Sequence, residues 1–356
     1  MSQAHHKKTQ VLSYFLKKGN NNFDLLRLLA AIMVIYAHSF PLAYSEGYKD
    51  VILSLSKGLS DGGALAVKFF FFLSGLLVTN SLLNNPDIKR FVIARFFRIY
   101  PAFIFVVLFG ALVIGPWVTT LSSTDYFNHE GTWAYIWHTI RLKIAFFLPG
   151  VFEDNIYQNS VNGSLWTIPF EIAAYTLLLA SYIFTLFSKN QTRILTLCLL
   201  AIIILPVFNI GNGLFFDKDN LSTSLLAPCF ALGALFTLHK DEIEVSLKYP
   251  LAFLAVSYLT HDLYLKHMMF FFFCSTAFLY LGTTKTFQKI KIEHDISYGV
   301  YLWGFLVQQT VFHLMPNLHL FVNQIFCIAI SIALAIPTFI LLEKPAINLG
   351  RKLANK

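Results

Sequence analysis

The chain has 356 residues, of which 56% are hydrophobic and only 13% charged, with a formal net charge of +8 and a mean hydropathy of +0.61. So little polar surface cannot cover a water-soluble globule of this length, which excludes a soluble enzyme and places the protein in a bilayer. The positive charge is no nucleic-acid footprint either, because it falls in the segments between apolar runs and follows the bias of membrane topology.

A helix needs about 20 apolar residues to cross a hydrocarbon core of roughly 30 Å. Runs of that kind predict ten spans, at 24–44, 64–83, 100–120, 166–187, 193–210, 221–239, 248–262, 264–283, 296–316 and 320–342. The seventh is short and closely followed by the next, so the count is set to within one. The runs are continuous rather than alternating and too long for barrel strands. The expected fold is therefore all-α, a polytopic transmembrane helical bundle, with a basic tail at 1–20, one membrane domain at 21–350 and a second tail at 351–356. No internal repeat of the transporter kind interrupts it.

With ten spans, one side receives Lys7, Lys8, Lys17 and Lys18, then "DIKRFVIARFFR", "SKNQTR", "HKDEIEVSLK", "KTFQKIKIEHD" and "EKPAINLGRKLANK". The other side shows only Lys49, Lys57, Arg141, Lys143 and Lys218. Lys and Arg accumulate in cytoplasmic loops, so both termini are expected in the cytoplasm. "VLSYFL" is too short for a signal-peptide core, which leaves the first span to direct insertion.

The first span carries Asp24, Arg27 and His38. Arg27 and His38 are eleven residues apart, about three turns, and share a face with Asp24. Asp24 and Arg27 sit at the cytoplasmic end, where a local ion pair or a snorkelling arginine accounts for them. His38 lies roughly 20 Å deeper, where an ionisable side chain must face the protein interior or a wet cavity, as a functional or a satisfied structural group. In the second span Lys68 stands near the external start and reads as snorkelling, while Ser74 and Gly75 allow close helix approach. "RFFRIYP" at the entry to the third span puts Arg95 and Arg98 beside Lys89 and Arg90, a cluster suited to phosphate groups but equally to positive-inside topology. The long loop 121–165 exposes Trp133 and Trp137 as interfacial anchors or a sugar platform. Glu171 enters the fourth span five residues after Trp166, at a depth matching His38. Cys198, Cys229, Cys274 and Cys327 lie in predicted spans without paired spacing and read as small apolar residues, with no metal site.

Taken in order, "RLLAAIMVIYAH" from Arg27 to His38, "FFFFLSGLLV", "RFFRIYP", "NGSLWTIPFEIAAY", "DISYGVYLWGFLVQQ" and "EKPAINLG" resemble the membrane acyltransferase-3 family over roughly residues 21–350. That resemblance implies transfer of an acyl group, usually acetyl, from cytoplasmic acyl-CoA to a hydroxyl of a carbohydrate, polymeric or lipid-linked, at the membrane of a bacterial cell. It implies His38 as catalytic base; together with the depth match, Glu171 is expected to orient or charge the imidazole, with Arg27 in the catalytic group. Arg95, Arg98, Ser74 and Tyr100 fall to the donor, and Asn162, Trp166 and Tyr298 to the acceptor. Many members carry His after "YLW" where this chain has Gly304, and an acidic or small residue where it has Lys68. Direct attack by the sugar hydroxyl and an acyl-histidine intermediate remain two open routes. The competing class is a multispan carrier or flippase for lipid-linked sugars, in which His38, Glu171 and Arg27 would form a binding or proton pathway.

Overall fold

The computed structural model describes residues 10–43, 50–210 and 220–355. Lys7, Lys8, Lys49 and Lys218, which entered the charge-bias argument, lie outside the described residues. The longer helices are α1 (Phe23–Leu42), α2 (Gly62–Asn84), α3 (Ile88–Phe109), α4 (Ile168–Thr185), α5 (Gln191–Ile204), α6 (Leu226–Leu238), α7 (Lys248–Leu259), α8 (Leu263–Gly282), α9 (Ser297–Leu314) and α10 (Leu320–Thr338). Among the described residues there is no strand, only isolated bridges between Val11 and Glu244 and between Thr119 and Val151.

Among the described residues, eight helical segments are long and apolar enough to cross a membrane. The two predicted spans that fall outside this group are α7 and α9. At 12 residues, α7 reaches only about 18 Å. By contrast, α9 has 18 residues but spends several of them on polar groups, and Gln308 and Gln309 are wholly buried. A helix that turns its polar side chains to protein need not be apolar throughout.

The chain divides into two compact units, residues 1–26, 68–85 and 174–293 in one, and 27–67, 86–173 and 294–356 in the other. In the first unit α2 and α6 meet backbone to backbone. A Cβ on Gly75 would collide with the Phe230 carbonyl and one on Gly233 with the Phe72 carbonyl, and the Thr237 hydroxyl donates to the Leu76 carbonyl at 2.6 Å. Small residues permit that approach, as "LSG" suggested. Lys68 does not snorkel. It is 1% exposed, its Nζ donates to the Ser222 carbonyl at 2.9 Å, and it lies 5.2 Å from the centre of the Phe271 ring.

In the second unit α9 packs along α10, and α10 runs through a π turn, Phe339–Glu343, into the helix Lys344–Ala354, which lies along α3 with Gly350 against Phe97. A second π turn, Gly110–Ile114, extends α3. Such turns take carbonyls out of the regular ladder, and the buried Tyr126 hydroxyl donates to that of Ala111 at 2.7 Å. The loop after it is tied to α9, because Asn155 Nδ2 donates to Gln309 Oε1 at 2.9 Å while Gln309 Nε2 donates to the Tyr157 and Ser160 carbonyls at 2.8 and 2.6 Å.

Candidate active site

Every polar group described in this subsection, Ser74 and its partner Tyr175 apart, belongs to the second unit. At the N-terminal end of α1, Arg27 Nη1 donates to Asp295 Oδ2 at 3.0 Å. The same oxygen accepts from Arg98 Nη2 at 3.0 Å, and Arg98 Nη1 donates to Glu343 Oε2 at 2.9 Å. Two cations and two anions from four separate chain segments thus form one chain of charge-assisted bonds, a type worth roughly 1.5–3 kcal/mol each. Glu343 is 1% exposed and Asp295 17%. Asp295 Oδ1 is held separately by the Ser297 amide at 3.3 Å and hydroxyl at 2.5 Å. Burial would raise the Asp295 carboxyl, but Arg27, Arg98 and the Ser297 bonds outweigh it and hold it below the usual carboxylate range. Tyr298 closes the cluster, its ring centre 5.6 Å from the Arg98 guanidinium carbon and its hydroxyl donating to the Ile99 carbonyl at 3.1 Å.

His38 stands eleven residues further along α1, about 16 Å along the axis. Ala31 and Val34 occupy the stripe between them and are buried, so this face of α1 turns to protein. The His38 ring meets Phe305 of α9 edge-on, with ring centres 5.2 Å apart. Its Nδ1 is buried and has no hydrogen-bond partner among the described residues. The turn that carries it is fixed from two sides. Gln308 Nε2 of α9 donates to the Ile35 carbonyl at 2.7 Å, and Gln324 Nε2 of α10 donates to Ser39 Oγ at 2.7 Å. Gly304 lets Ile35 in, since a Cβ there would fall 2.7 Å from Ile35 Cγ1.

Asp61 caps α2, accepting from the Ala64 amide at 2.7 Å, where Gly62 and Gly63 abut Ala37. Glu171 stands in the first turn of α4, and the 3-10 turn Gly163–Thr167 before it is pinned to α9, with Tyr301 Oη donating to the Ser164 carbonyl at 2.6 Å.

Of the residues expected at the donor, Arg98 lies within the ion cluster, Arg95 is half-buried one turn below it, and Tyr100 stacks on Phe96 at 4.8 Å. Ser74 belongs to the other unit, 3.4 Å from the Tyr175 hydroxyl. Of those expected at the acceptor, Asn162 Nδ2 donates to the Leu302 carbonyl at 2.9 Å beside Gly163, which abuts Phe305. Trp166 packs edge-on against Phe170 at 5.8 Å, and Tyr298 sits with Arg98 rather than with Asn162. Asp61, Asp295, Gln308, Gln324 and Glu343 carry no individual sequence signal, although Asp295, Gln308 and Glu343 fall inside the stretches "DISYGVYLWGFLVQQ" and "EKPAINLG".

The fold is a polytopic helical one, with a half-buried histidine and an arginine of an arginine–carboxylate cluster on one helix face. The family of acyltransferase domains designated acyltransferase-3 matches residues 20–342, and the chain belongs to that family; it is a multi-pass membrane acyltransferase. It is 25% identical over 304 residues to the O-acetyl transferase of Shigella phage Sf6, covering 82% of this chain and 86% of that one. It is also 25% identical over 374 aligned positions to nodulation protein 10 of Rhizobium leguminosarum bv. viciae, covering 94% and 95%. The peptidoglycan O-acetyltransferase OatA of Listeria monocytogenes is 28% identical over 173 residues, 45% of this chain and 24% of that protein. No solved structure matches significantly.

Proposed function

We propose that the protein moves an acetyl group from acetyl-CoA, bound from the cytoplasm, to a hydroxyl of a polymeric or lipid-linked surface carbohydrate in a bacterial inner membrane, with His38 as general base. The observation that carries this reading is the imidazole itself: half-buried, its Nδ1 enclosed and without a hydrogen-bond partner among the described residues, and its turn clamped by Gln308 and Gln324. A structural histidine in such a place would spend that enclosed nitrogen on a hydrogen bond. The names of two relatives support acetyl as the group and a hydroxyl oxygen as its destination.

In this reading the donor's phosphates meet Arg95 and Arg98, and its arm extends along the Arg27–Ala31–Val34–His38 stripe. Each terminal nitrogen of Arg98 holds a carboxylate and carries a second N–H that can meet the donor's anionic portion. Ser74 and Tyr100 are assigned to the donor, and Asn162, Trp166 and Tyr298 to the acceptor, by the stretches in which they stand, while Glu171 orients or charges the imidazole. His38 takes the proton as the sugar oxygen attacks the thioester carbonyl, the C–S bond breaks, and the departing thiolate recovers a proton from the imidazolium. Acetyl ester and free CoA are the products.

The test supplies acetyl-CoA labelled in the acetyl group to membranes from cells with and without the protein. The expected result is base-labile label in the glycan with one free CoA per ester. Movement of sugar across the membrane without thioester consumption would establish the carrier class and overturn this reading.

A further inference from the structure

Asp295 is the point at which two arginines from different helices meet on one oxygen. Arg27 Nη1 and Arg98 Nη2 both lie 3.0 Å from Oδ2. Two guanidiniums brought that close repel each other unless an anion lies between them. The carboxylate does not depend on them for its own orientation, because its other oxygen is fixed by Ser297 at the start of α9. Arg98 is also held by Glu343, and Arg27 meets the cluster through Asp295.

We infer that Asp295 is a positioning residue of the donor site, holding Arg27 and Arg98 convergent so that they receive the anionic portion of an acyl-CoA in a preformed arrangement. The inference rests on the donor reading above and adds to it a residue that touches neither substrate nor reacting atoms. Arginine side chains carry large rotamer entropy, and a site in which they are already ordered binds more tightly than one that must order them. The low carboxyl pKa is consistent with a group that stays ionised while it performs this role.

Charge neutralisation alone makes the opposite prediction. The cluster holds two cations and two anions, so Asp295→Asn removes a negative charge and should attract the phosphates of CoA more strongly. Positioning predicts weaker binding. The sign of the change therefore separates the two.

The experiment titrates CoA into the full-length protein in nanodiscs, with the thermal midpoint recorded for each variant. Asp295→Asn should weaken CoA binding at least fivefold. Asp295→Glu, which keeps the charge but moves it by a methylene, should weaken it less, and it serves if the Asn variant does not accumulate. Asp295→Asn combined with Arg27→Ala should bind within twofold of Arg27→Ala alone, because the carboxylate acts through the arginine. Unchanged or tighter CoA binding in Asp295→Asn, or a fully additive double variant, overturns the inference while a weakened Arg95→Ala leaves the donor reading standing. CoA binding as tight as wild type in both Arg95→Ala and Arg27→Ala overturns the donor reading, and this inference with it.

Discussion

The two ends of the α1 polar stripe treat their polar groups differently. Around Arg27, Asp295 and Arg98 the charges are matched one for one and joined by bonds of 2.9–3.0 Å. Around His38 the protein commits its hydrogen bonds to backbone and scaffold: Gln308 to Ile35, Gln324 to Ser39, Asn162 to Leu302. It leaves His38 Nδ1, Gln308 Oε1 and Asn162 Oδ1 buried without hydrogen-bond partners among the described residues, against Glu343 Oε1 in the ion cluster. Charge-paired networks rigidify a structure, whereas a concentration of unsatisfied buried groups is costly and calls for a reason. The first end is built as scaffold and the second as a place for chemistry.

The largest effect should come from breaking the scaffold. Arg98→Ala strands Glu343 and half of Asp295 in buried surroundings, and removing one partner of such a pair costs about 3–5 kcal/mol. Thermal unfolding in nanodiscs should show this as the greatest drop in midpoint among single variants, with Arg98→Lys in between because an ammonium cannot bridge two carboxylates in one plane. A midpoint unchanged by Arg98→Ala would mean that the cluster is not a scaffold.

Gln308→Leu inverts that pattern. It removes a buried amide whose oxygen is unpaired, which is near neutral for stability or costs roughly 1 kcal/mol through the lost Ile35 bond. It should nevertheless lower acetyl transfer about tenfold, because the turn that carries His38 loses one of its two clamps. Equal activity at equal expression would show that the clamp does not matter.

These groups differ in how far the sequence discloses them. The α1 stripe is legible because both of its ends lie on one helix and a period of 3.6 aligns them. The partners of Arg27 and Arg98 stand 268, 197 and 245 residues away, and nothing local in "HDISY" or "LLEKP" marks which cation each acid will meet. Lys68 read as snorkelling because depth was counted from the helix end, but its neighbours bury it. Depth alone pairs Glu171 with His38, and depth does not fix azimuth, which depends on how the turn at 163–167 is held against α9.

A smaller effect concerns pH. The Asp295 carboxyl is held below its unfolded value. Its contribution to stability is thus fully present above the ordinary aspartate pKa of about 3.9 and is lost as pH falls through the lower folded value. The thermal midpoint of the wild type should therefore decline more steeply than that of Asp295→Asn below about pH 4. Parallel curves would remove Asp295 from the ionised network.

The central claim is that His38 performs the chemistry while the arginine–carboxylate cluster holds the donor end in place. It is tested most directly by measuring acetyl transfer and CoA affinity on the same preparation of His38→Ala. General-base catalysis contributes about 10²–10⁴ in rate, so transfer should fall by that factor with the CoA dissociation constant and thermal midpoint close to wild type. Full transfer by a well-folded His38→Ala protein would contradict the account and return this histidine to a structural role.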